Sequence, residues 1–279
     1  MFKTKLCLAL SSQFKIPYDE QIRLFKKIGF DGFFSGWEPG CDLGALRKVA
    51  DEENMYFQSV HAPFTKMDHM WHPSDMTETA VTELIDCLRD CAKYNVPIMV
   101  THVFIGFDRH EPTPFGIENY TRVVREAEKL GVKIAFENTE GEEYLAALME
   151  HFKDSPAVGF CWDTGHQMCY NHSTDMMALY GKRLIGTHIN DNLGCRDFGG
   201  KIFWHDDLHL LPFDGIADWN DVAKKIKESG FDGPLTFELN TLSKPDRHEN
   251  DPYERMSLVD YLTQAYIRAC RVAALVQRA

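Results

Sequence analysis

Seven short apolar segments of this chain end on a histidine or a carboxylate, although the sixth does so less cleanly than the others. In chain order the residues at these ends are His61, His102, Glu137, Asp163, His188, His209 and Glu238. In a closed barrel of parallel strands, the last residue of every strand points toward one common mouth, so these side chains are expected to converge there. Imidazole and carboxylate groups bind metal ions, and the pattern therefore predicts a metal site.

The predicted ligands form three groups. The first takes three carboxylates and one imidazole from four strand ends: Glu137, Asp163, His188 and Glu238. The second consists of two imidazoles that can share a further ion with Glu137: His61 and His102. The third contains a histidine just past the strand that ends at Asp163, together with two residues from later in the chain: His166, Asp207 and His209. A lone histidine or aspartate at such a position is more often structural, but nine together favour a metal site. This set lacks a thiolate and suits a divalent ion such as Mn, Zn, Mg or Co, whose identity stays open.

The elements that must position these residues are visible as a regular alternation. Eight apolar runs have the length and composition of β-strands and lie near residues 5–10, 30–35, 56–61, 97–103, 132–137, 157–162, 183–189 and 234–239. Helical spacing covers Tyr18–Ile28, Leu43–Glu53, Thr77–Tyr94, Tyr120–Leu130, Tyr144–Phe152, Trp219–Ser229 and Tyr253–Val276, with a shorter helix around Thr174–Gly181. Strands that alternate with helices predict either a parallel barrel or a large doubly wound sheet.

We predict the α/β class and one (β/α)8 TIM barrel over residues 1–279, with the metal site at its C-terminal mouth. An open sheet gathers its site at one switch point, whereas ligand-type residues here end most of the strands. The 279 residues suit a single barrel, and no glycine-, proline- or serine-rich linker divides them. The sequence contains neither GxGxxG nor GxxxxGKS/T, so no motif indicates a nucleotide site.

The composition favours a soluble, cytoplasmic protein that acts on small molecules. A formal net charge of −12 argues against an extended basic surface for nucleic acid. The N-terminal stretch is too short and too interrupted for a signal peptide, and no apolar run approaches the roughly 18 residues that a membrane span needs. The eight cysteines are scattered without a CxxC pair, so we expect reduced and mostly buried thiols.

Six short motifs contain most of the predicted ligands. They are Ser59-Val60-His61-Ala62-Pro63, Phe136-Glu137-Asn138-Thr139, Trp162-Asp163-Thr164-Gly165-His166, His188-Ile189-Asn190-Asp191, Asp207-Leu208-His209 and Phe237-Glu238. In this order and spacing they resemble the xylose isomerase-like TIM-barrel superfamily, which joins sugar isomerases and epimerases with endonuclease IV-type enzymes. The resemblance covers nearly the whole chain, and it is more specific for the superfamily than for the reaction.

Resemblance to the ketose 3-epimerase branch implies a sugar or sugar phosphate isomerase or epimerase. Its single divalent ion would be held by Glu137, Asp163, His188 and Glu238. Glu137 and Glu238 would also be catalytic and exchange protons with the carbon that is epimerised, one on each face, while His166 contacts a substrate oxygen. Such an ion polarises a carbonyl and stabilises an enediolate, and a nearby carboxylate removes the neighbouring proton. Isomerisation of an aldose uses the same enediolate and returns the proton one carbon along.

Resemblance to the endonuclease IV branch implies the alternative, a metal-dependent phosphodiesterase acting at abasic sites with three zinc ions. All nine ligand positions of that branch find a match here. Two loop sequences depart from it, namely His102-Val103-Phe104 and Leu210-Leu211-Pro212-Phe213-Asp214-Gly215. The second segment, followed by Trp219, is similar to the bacterial sugar phosphate isomerase/epimerase group. We therefore favour the sugar enzyme over a DNA-directed hydrolase.

Residues after the predicted strands are candidates for the substrate pocket. Sugars pack their apolar faces on aromatic rings, so candidate walls are Trp37, Phe64, Phe104, Phe107 and Trp204. Arg196 and Lys201 can bind a phosphate, although a solvated loop charge is the stronger expectation. A third class, a non-catalytic sugar-binding barrel, is disfavoured because it does not need both Glu137 and Glu238. Homo-oligomers are common among the sugar enzymes that this chain resembles, so self-association is a further expectation.

Overall fold

Parallel strands and helices alternate along the computed structural model, which describes residues 4–108, 111–171, 174–196 and 203–279. In these ranges the eight strands are Leu6–Ala9 (β1), Gly32–Gly36 (β2), Tyr56–His61 (β3), Ile98–His102 (β4), Lys133–Glu137 (β5), Val158–Asp163 (β6), Leu184–His188 (β7) and Leu235–Phe237 (β8). Each strand overlaps one of the runs that the sequence predicts.

The helices of the described residues lie on the outside of this sheet. They are Tyr18–Ile28 (α1), Leu43–Glu52 (α2), Thr77–Lys93 (α3), Pro114–Leu130 (α4), Glu142–His151 (α5), Thr164–Cys169 (α6), Met176–Tyr180 (α7), Trp219–Ser229 (α8), Asp251–Glu254 (α9) and Leu258–Arg278 (α10). Side chains cap several helices at their first turn. Asp42 accepts from the Ala45 amide and Thr113 from the Gly116 amide, which satisfies amides that no helical carbonyl can reach.

The strands pair in parallel in the order β7-β6-β5-β4-β3-β2-β1-β8. The remaining pair, β7 and β8, is joined by a single bridge between Ile189 and Phe237 and by a 3.0 Å hydrogen bond from the Thr236 amide to Thr187 Oγ1. The sheet therefore closes into a nearly complete barrel, and the prediction of a (β/α)8 TIM barrel rather than an open doubly wound sheet is confirmed.

Strand alternation separates the barrel interior from the core beneath the helices. Phe136 and Phe160 belong to the main core, whereas Ala135 and Cys161 form a small separate cluster with three aliphatic residues, Ile98, Val100 and Ile185. Alternate residues of a strand share a face. Glu137 and Asp163 therefore share the face of Ala135 and Cys161, two residues nearer the C-terminal mouth.

Several predicted helix boundaries are wrong. The predicted helix Tyr253–Val276 is divided into α9 and α10, because the Ser257 side chain accepts from the Asp260 amide and starts a new helix. Helix α4 starts at Pro114 rather than Tyr120, with proline in the first turn, where its missing amide costs nothing. Helix α6 follows β6 directly and was not predicted, since the Asp163 side chain caps it by accepting from the His166 amide.

The eight cysteines are free thiols, six buried and two partly buried, as expected from their spacing. Over the described residues, no helix combines the length and the apolar character that crossing a membrane requires.

Candidate metal centre

The residues that end β5, β6 and β7, together with Glu238 just after β8, converge at the mouth of the barrel. One ligand atom each from Glu137, Asp163, His188 and Glu238 lies within 4.8 Å of the others. Glu137, Asp163 and His188 are buried, and Glu238 keeps 27% of its side chain exposed, so the group opens toward the solvent at the mouth. The structure thus brings together the first predicted ligand group.

Glu137 lies at the centre of the cluster. Its Oε1 atom is 2.8 Å from His188 Nδ1, and its Oε2 atom is 3.2 Å from His61 Nε2 and 3.4 Å from His102 Nε2. Burial raises the pKa of the Glu137 carboxyl. The charge of His188 and the hydrogen bonds from His102, His188 and His61 have a larger, opposite effect, so the net pKa is well below its usual range. Glu137 therefore remains an anion that the first and second predicted groups share.

Glu238 contacts the same atom of His188 as Glu137 does. Its Oε2 atom lies 3.1 Å from the same His188 Nδ1 atom. Burial raises the pKa of Glu238, yet the adjacent His188 lowers it to about 2. Burial lowers the pKa of His188, but Glu137 and Glu238 raise it well above its usual range. The two glutamates are therefore ionised at neutral pH and approach one imidazole nitrogen from different strands.

Asp163 is held by two asparagine side chains. Asn190 Nδ2 donates to Oδ2 at 3.0 Å and to Oδ1 at 3.2 Å, and Asn138 bonds both the amide and the carbonyl of the Asp163 backbone. Gly165 allows this arrangement, since a Cβ there would lie 2.0 Å from Asn190 Oδ1. Burial together with Glu137 and Glu238 outweighs His166 and His209 and raises the pKa of the Asp163 carboxyl. An orienting shell of this kind is typical of metal ligands.

The third predicted group converges beside the first. His166 Nε2 lies 3.6 Å from Asp207 Oδ1, His209 Nε2 lies 3.0 Å from the Asp207 carboxylate, and Asp163 also approaches both histidines. His209 adopts a left-handed backbone conformation, with φ of 50°. Such a conformation costs free energy in a residue other than glycine and persists only where the surroundings enforce it. Here the Asn240 amide donates to the His209 carbonyl, and the His209 ring contacts the Glu238 carbonyl.

The donor set fits a divalent cation. Carboxylates at this depth are costly unless positive charge compensates them, and the ion-pair partners of Glu137 and Glu238 among the described residues are imidazoles. His188 Nδ1 points into the group, whereas its Nε2 atom is buried and has no hydrogen-bond partner in the described part of the chain. Three oxygen ligands and one nitrogen ligand suit the divalent ions predicted from the sequence. These buried clusters can therefore hold a metal ion.

Cys161 is a cluster member that the sequence did not indicate. Its side chain approaches Glu137 and His188, two residues below Asp163 on the same face of β6. Burial raises the pKa of the Cys161 thiol well above its usual range, so the thiol stays protonated beneath the carboxylates. This position could have been inferred from the sequence, because alternate residues of a strand share a face and Cys161 lies two residues before Asp163.

The predicted substrate-pocket residues lie in different environments. Trp37 is buried, and its indole N–H donates to Asp90 of α3 at 2.8 Å, outside the cluster. Phe104 is buried and stacks on Tyr144 with ring centroids 4.2 Å apart. Trp204 is exposed, and Arg196 pairs with Asp206 at 3.4 Å. Lys201 lies outside the described residues.

Other aromatic side chains reach the mouth. Phe64 is 39% exposed and stacks on His102 with centroids 4.5 Å apart, so its ring covers part of the cluster from the solvent side. Phe107 contacts Tyr170, whose ring packs on His166, and it also contacts the exposed Phe203. The mouth therefore offers aromatic surface beside the ligand groups, which is a property of sugar sites.

The Pro212-Phe213-Asp214-Gly215 segment has a structural role. It wraps around the buried Asp191 carboxylate, which accepts from the backbone amides of Asn192, Phe213 and Ala217 and from the Trp219 indole. A Cβ on Gly215 would lie 2.2 Å from Asp191 Oδ1, which explains the glycine. The motif fixes the segment after β7 that carries Asp207 and His209.

Comparisons with known proteins agree with this fold. The chain is 27% identical over 302 residues to the uncharacterized protein y4fM of Sinorhizobium fredii, covering 91% of this chain and 92% of the relative. A crystal structure of the IolI protein with a bound zinc atom aligns with a TM-score of 0.75 at 18% identity, covering 97% of this chain and 98% of that one. A structure of D-psicose 3-epimerase with D-tagatose from Clostridium cellulolyticum H10 aligns with a TM-score of 0.69 at 15% identity. The alignment covers 98% of this chain and 99% of that one.

A family model described as xylose isomerase-like TIM barrel matches residues 22–257. This match includes all nine predicted ligands and all strands except β1. The chain therefore belongs to the xylose isomerase-like TIM barrel family.

Proposed function

We propose that this protein is a divalent-metal-dependent isomerase or epimerase of a small sugar. The observation that carries the proposal is the pair of carboxyl groups, Glu137 and Glu238, which lie 2.8 and 3.1 Å from the same nitrogen of His188. Two such groups can serve the two proton transfers that inversion or migration of a C–H bond requires. The structural likeness to a D-psicose 3-epimerase supports a ketose as the substrate class.

A divalent ion bound by Glu137, Asp163, His188 and Glu238 would act as a Lewis acid that polarises the substrate carbonyl. The chain's own residues then supply the proton transfers. One glutamate removes the proton next to the carbonyl, and the electron pair of the broken C–H bond moves into an enediolate. The other glutamate takes up a proton from solvent at the mouth and delivers it to the opposite face for epimerisation, while the first glutamate releases the proton that it removed to solvent. Return of the proton to the adjacent carbon gives isomerisation instead.

Despite burial, His188 holds the pKa of both Glu137 and Glu238 below its usual range, so both carboxyl groups are deprotonated at neutral pH and each can accept a proton. His166 has its Nδ1 atom 2.9 Å from the Asn138 carbonyl, which fixes the ring so that its Nε2 atom faces Asp207 and the mouth. We assign His166 a contact with a substrate oxygen. Phe64 would pack on the apolar face of the sugar.

A second candidate function is phosphodiester hydrolysis at abasic sites. It is favoured by the convergence of all nine predicted ligands, since three groups of ligands can hold three ions. The net charge of −12 and the altered segments after β4 and β7 support the sugar enzyme over DNA docking. A non-catalytic sugar-binding barrel remains the third class to be tested.

The purified chain should be loaded with zinc, manganese, cobalt or magnesium and incubated in D2O with a panel of ketoses, aldoses and their phosphates. Proton NMR should show exchange of one carbon-bound hydrogen and formation of an epimer or isomer, both lost after treatment with EDTA. A labelled abasic-site oligonucleotide is assayed in parallel. Cleavage of the oligonucleotide without turnover of any sugar would overturn the proposal, and sugar binding without exchange would identify a binding protein.

A further inference from the structure

Lys244 places a positive charge at the third ligand group. It lies in the segment that follows β8, and its Nζ atom is 3.5 Å from Asp207 Oδ2 and 5.5 Å above the centre of the Trp204 ring. Only 21% of the Lys244 side chain is exposed. No local pattern points to this residue, because the segment after β8 has neither strand nor helix spacing.

The position of Lys244 is fixed by its neighbours. The Arg247 amide donates to the Lys244 carbonyl at 3.0 Å, and the Gln13 side chain accepts from the backbone amides of Thr241 and Leu242. The buried Arg247 guanidinium pairs with Asp206, the residue before Asp207. Two consecutive aspartates after β7 therefore pair with two cations after β8, and the Arg247–Asp206 pair holds the segment that places the Lys244 ammonium beside Asp207.

The first ligand group, unlike the third, has no lysine or arginine partner among the described residues. Over the described ranges, no lysine or arginine forms an ion pair with Glu137, Asp163 or Glu238, whose charged neighbours there are histidines. Those carboxylates need a cation from outside the chain, whereas Asp207 already has one from within it. A divalent ion bound by His166, Asp207 and His209 would lie next to the Lys244 ammonium, and repulsion between like charges at this distance in a poorly solvated site is large.

We propose that the Lys244 ammonium takes the place of a divalent ion at His166, Asp207 and His209, so that this third group binds no metal in the native protein. The inference rests on the proposed function, because a sugar enzyme that works with one Lewis-acidic ion has no use for an ion there. It leaves His166 and His209 available to contact the substrate. The metal count of the chain is then set by a lysine that contacts none of the residues in the first group.

The experiment counts ions rather than turnover. Wild type, Lys244→Met and the double variant Lys244→Met/His209→Ala are saturated with Zn2+, freed of loose metal by gel filtration and assayed by mass spectrometry of the metal and by titration calorimetry. Lys66→Met is the matched control, since Lys66 pairs with Glu83 at 2.8 Å and is 26% exposed. Lys244→Arg retains the charge and should retain the wild-type count.

We expect Lys244→Met to bind one more zinc per chain than wild type, and the double variant to lose that additional ion. Equal counts in wild type and Lys244→Met would overturn the inference, as would an additional ion that persists in the double variant. Lys244→Gln replaces Lys244→Met if the latter does not fold. The proposed function is scored separately by sugar turnover, so an active enzyme whose count does not change refutes only the inference about Lys244.

Discussion

Gly165 lies directly against the side-chain amide of Asn190, and a Cβ at residue 165 would fall 2.0 Å from Asn190 Oδ1. Asn190 in turn donates to both oxygens of Asp163. The absence of one methyl group in the first turn of α6 therefore decides how a carboxylate at the mouth is oriented.

Gly165→Ala should displace Asn190 and weaken both the fold and the metal centre. We expect a loss of about 1–3 kcal/mol in the free energy of unfolding, typical of overpacking, together with weaker zinc binding. Urea denaturation and zinc titration measure the two effects. Gly36→Ala is the control, because a Cβ on Gly36 meets no atom within 4 Å. Equal zinc affinity in Gly165→Ala and wild type would contradict the role given to Asn190.

Glu238→Gln should abolish sugar turnover while the fold stays intact. The amide cannot accept the proton that the proposed mechanism assigns to this carboxylate, and we expect kcat to fall by about 10²- to 10⁴-fold. The measurement is ketose turnover at saturating metal, with metal content and circular dichroism recorded for the same sample. Glu118→Gln, at an exposed position of α4, should behave as wild type. Near-normal turnover in Glu238→Gln would refute the two-carboxylate mechanism.

Asp191→Asn should destabilise the segment after β7 without touching the ligands. The carboxylate accepts from four N–H groups, and an asparagine amide would direct its own N–H groups at some of these donors. We expect the free energy of unfolding to fall by roughly 1–3 kcal/mol, and by more than that if the full effect of losing a charged acceptor is felt. Denaturant unfolding, followed by tryptophan fluorescence, checks this. The exposed Asp232→Asn serves as the control, and matching midpoints for the two variants would show that Asp191 does not organise the segment.

The stability of the metal-free protein should fall as the pH rises above neutrality. Burial lowers the pKa of His209, but Asp207 raises it more, to about 9. A folded-state pKa above the unfolded value of about 6.5 gives stabilisation that is complete below about pH 6.5 and is lost as the pH rises through about 9. The contribution of His209 to the free energy of unfolding that is lost in this way is on the order of 3 kcal/mol.

Urea unfolding of EDTA-treated protein between about pH 6.5 and about pH 9.5 tests this direction. Asp207→Asn removes the charge that raises the pKa of His209, so its stability should depend less on pH than that of wild type. At the acidic end, the lowered pKa of Glu238, about 2, means that stability present above the unfolded value of about 4.3 is lost as the pH falls through about 2. An unchanged alkaline slope in Asp207→Asn would show that this ion pair does not contribute.

Much of the barrel could be predicted because each strand carries its own local signal. Runs such as Ile134-Ala135-Phe136-Glu137 are apolar and end on a polar ligand, and eight of them in alternation with helices specify a parallel sheet. The convergence of Glu137, Asp163, His188 and Glu238 then follows from the common direction of the strands. Their roles as metal ligands and bases remain predictions that the variants above test.

Other features depend on contacts between distant residues and carry no local pattern. The pairing of Lys244 with Asp207 and the contact of Trp37 with Asp90 each join segments that are far apart in the sequence. Helix boundaries were missed for a related reason. Asp163 caps α6 and Ser257 caps α10 through single side-chain hydrogen bonds, which periodicity does not register.

The weak pairing between β7 and β8 suggests that a bound ion would help to close the barrel. Among the described strands it is the one neighbouring pair without a regular ladder, and His188 and Glu238 stand on its two sides. Coordination of one ion by both residues would cross-link this seam. Chelation should then accelerate deuterium uptake at the Ile189 and Glu238 amides more than elsewhere in the sheet, because removal of the ion would release the link between β7 and β8.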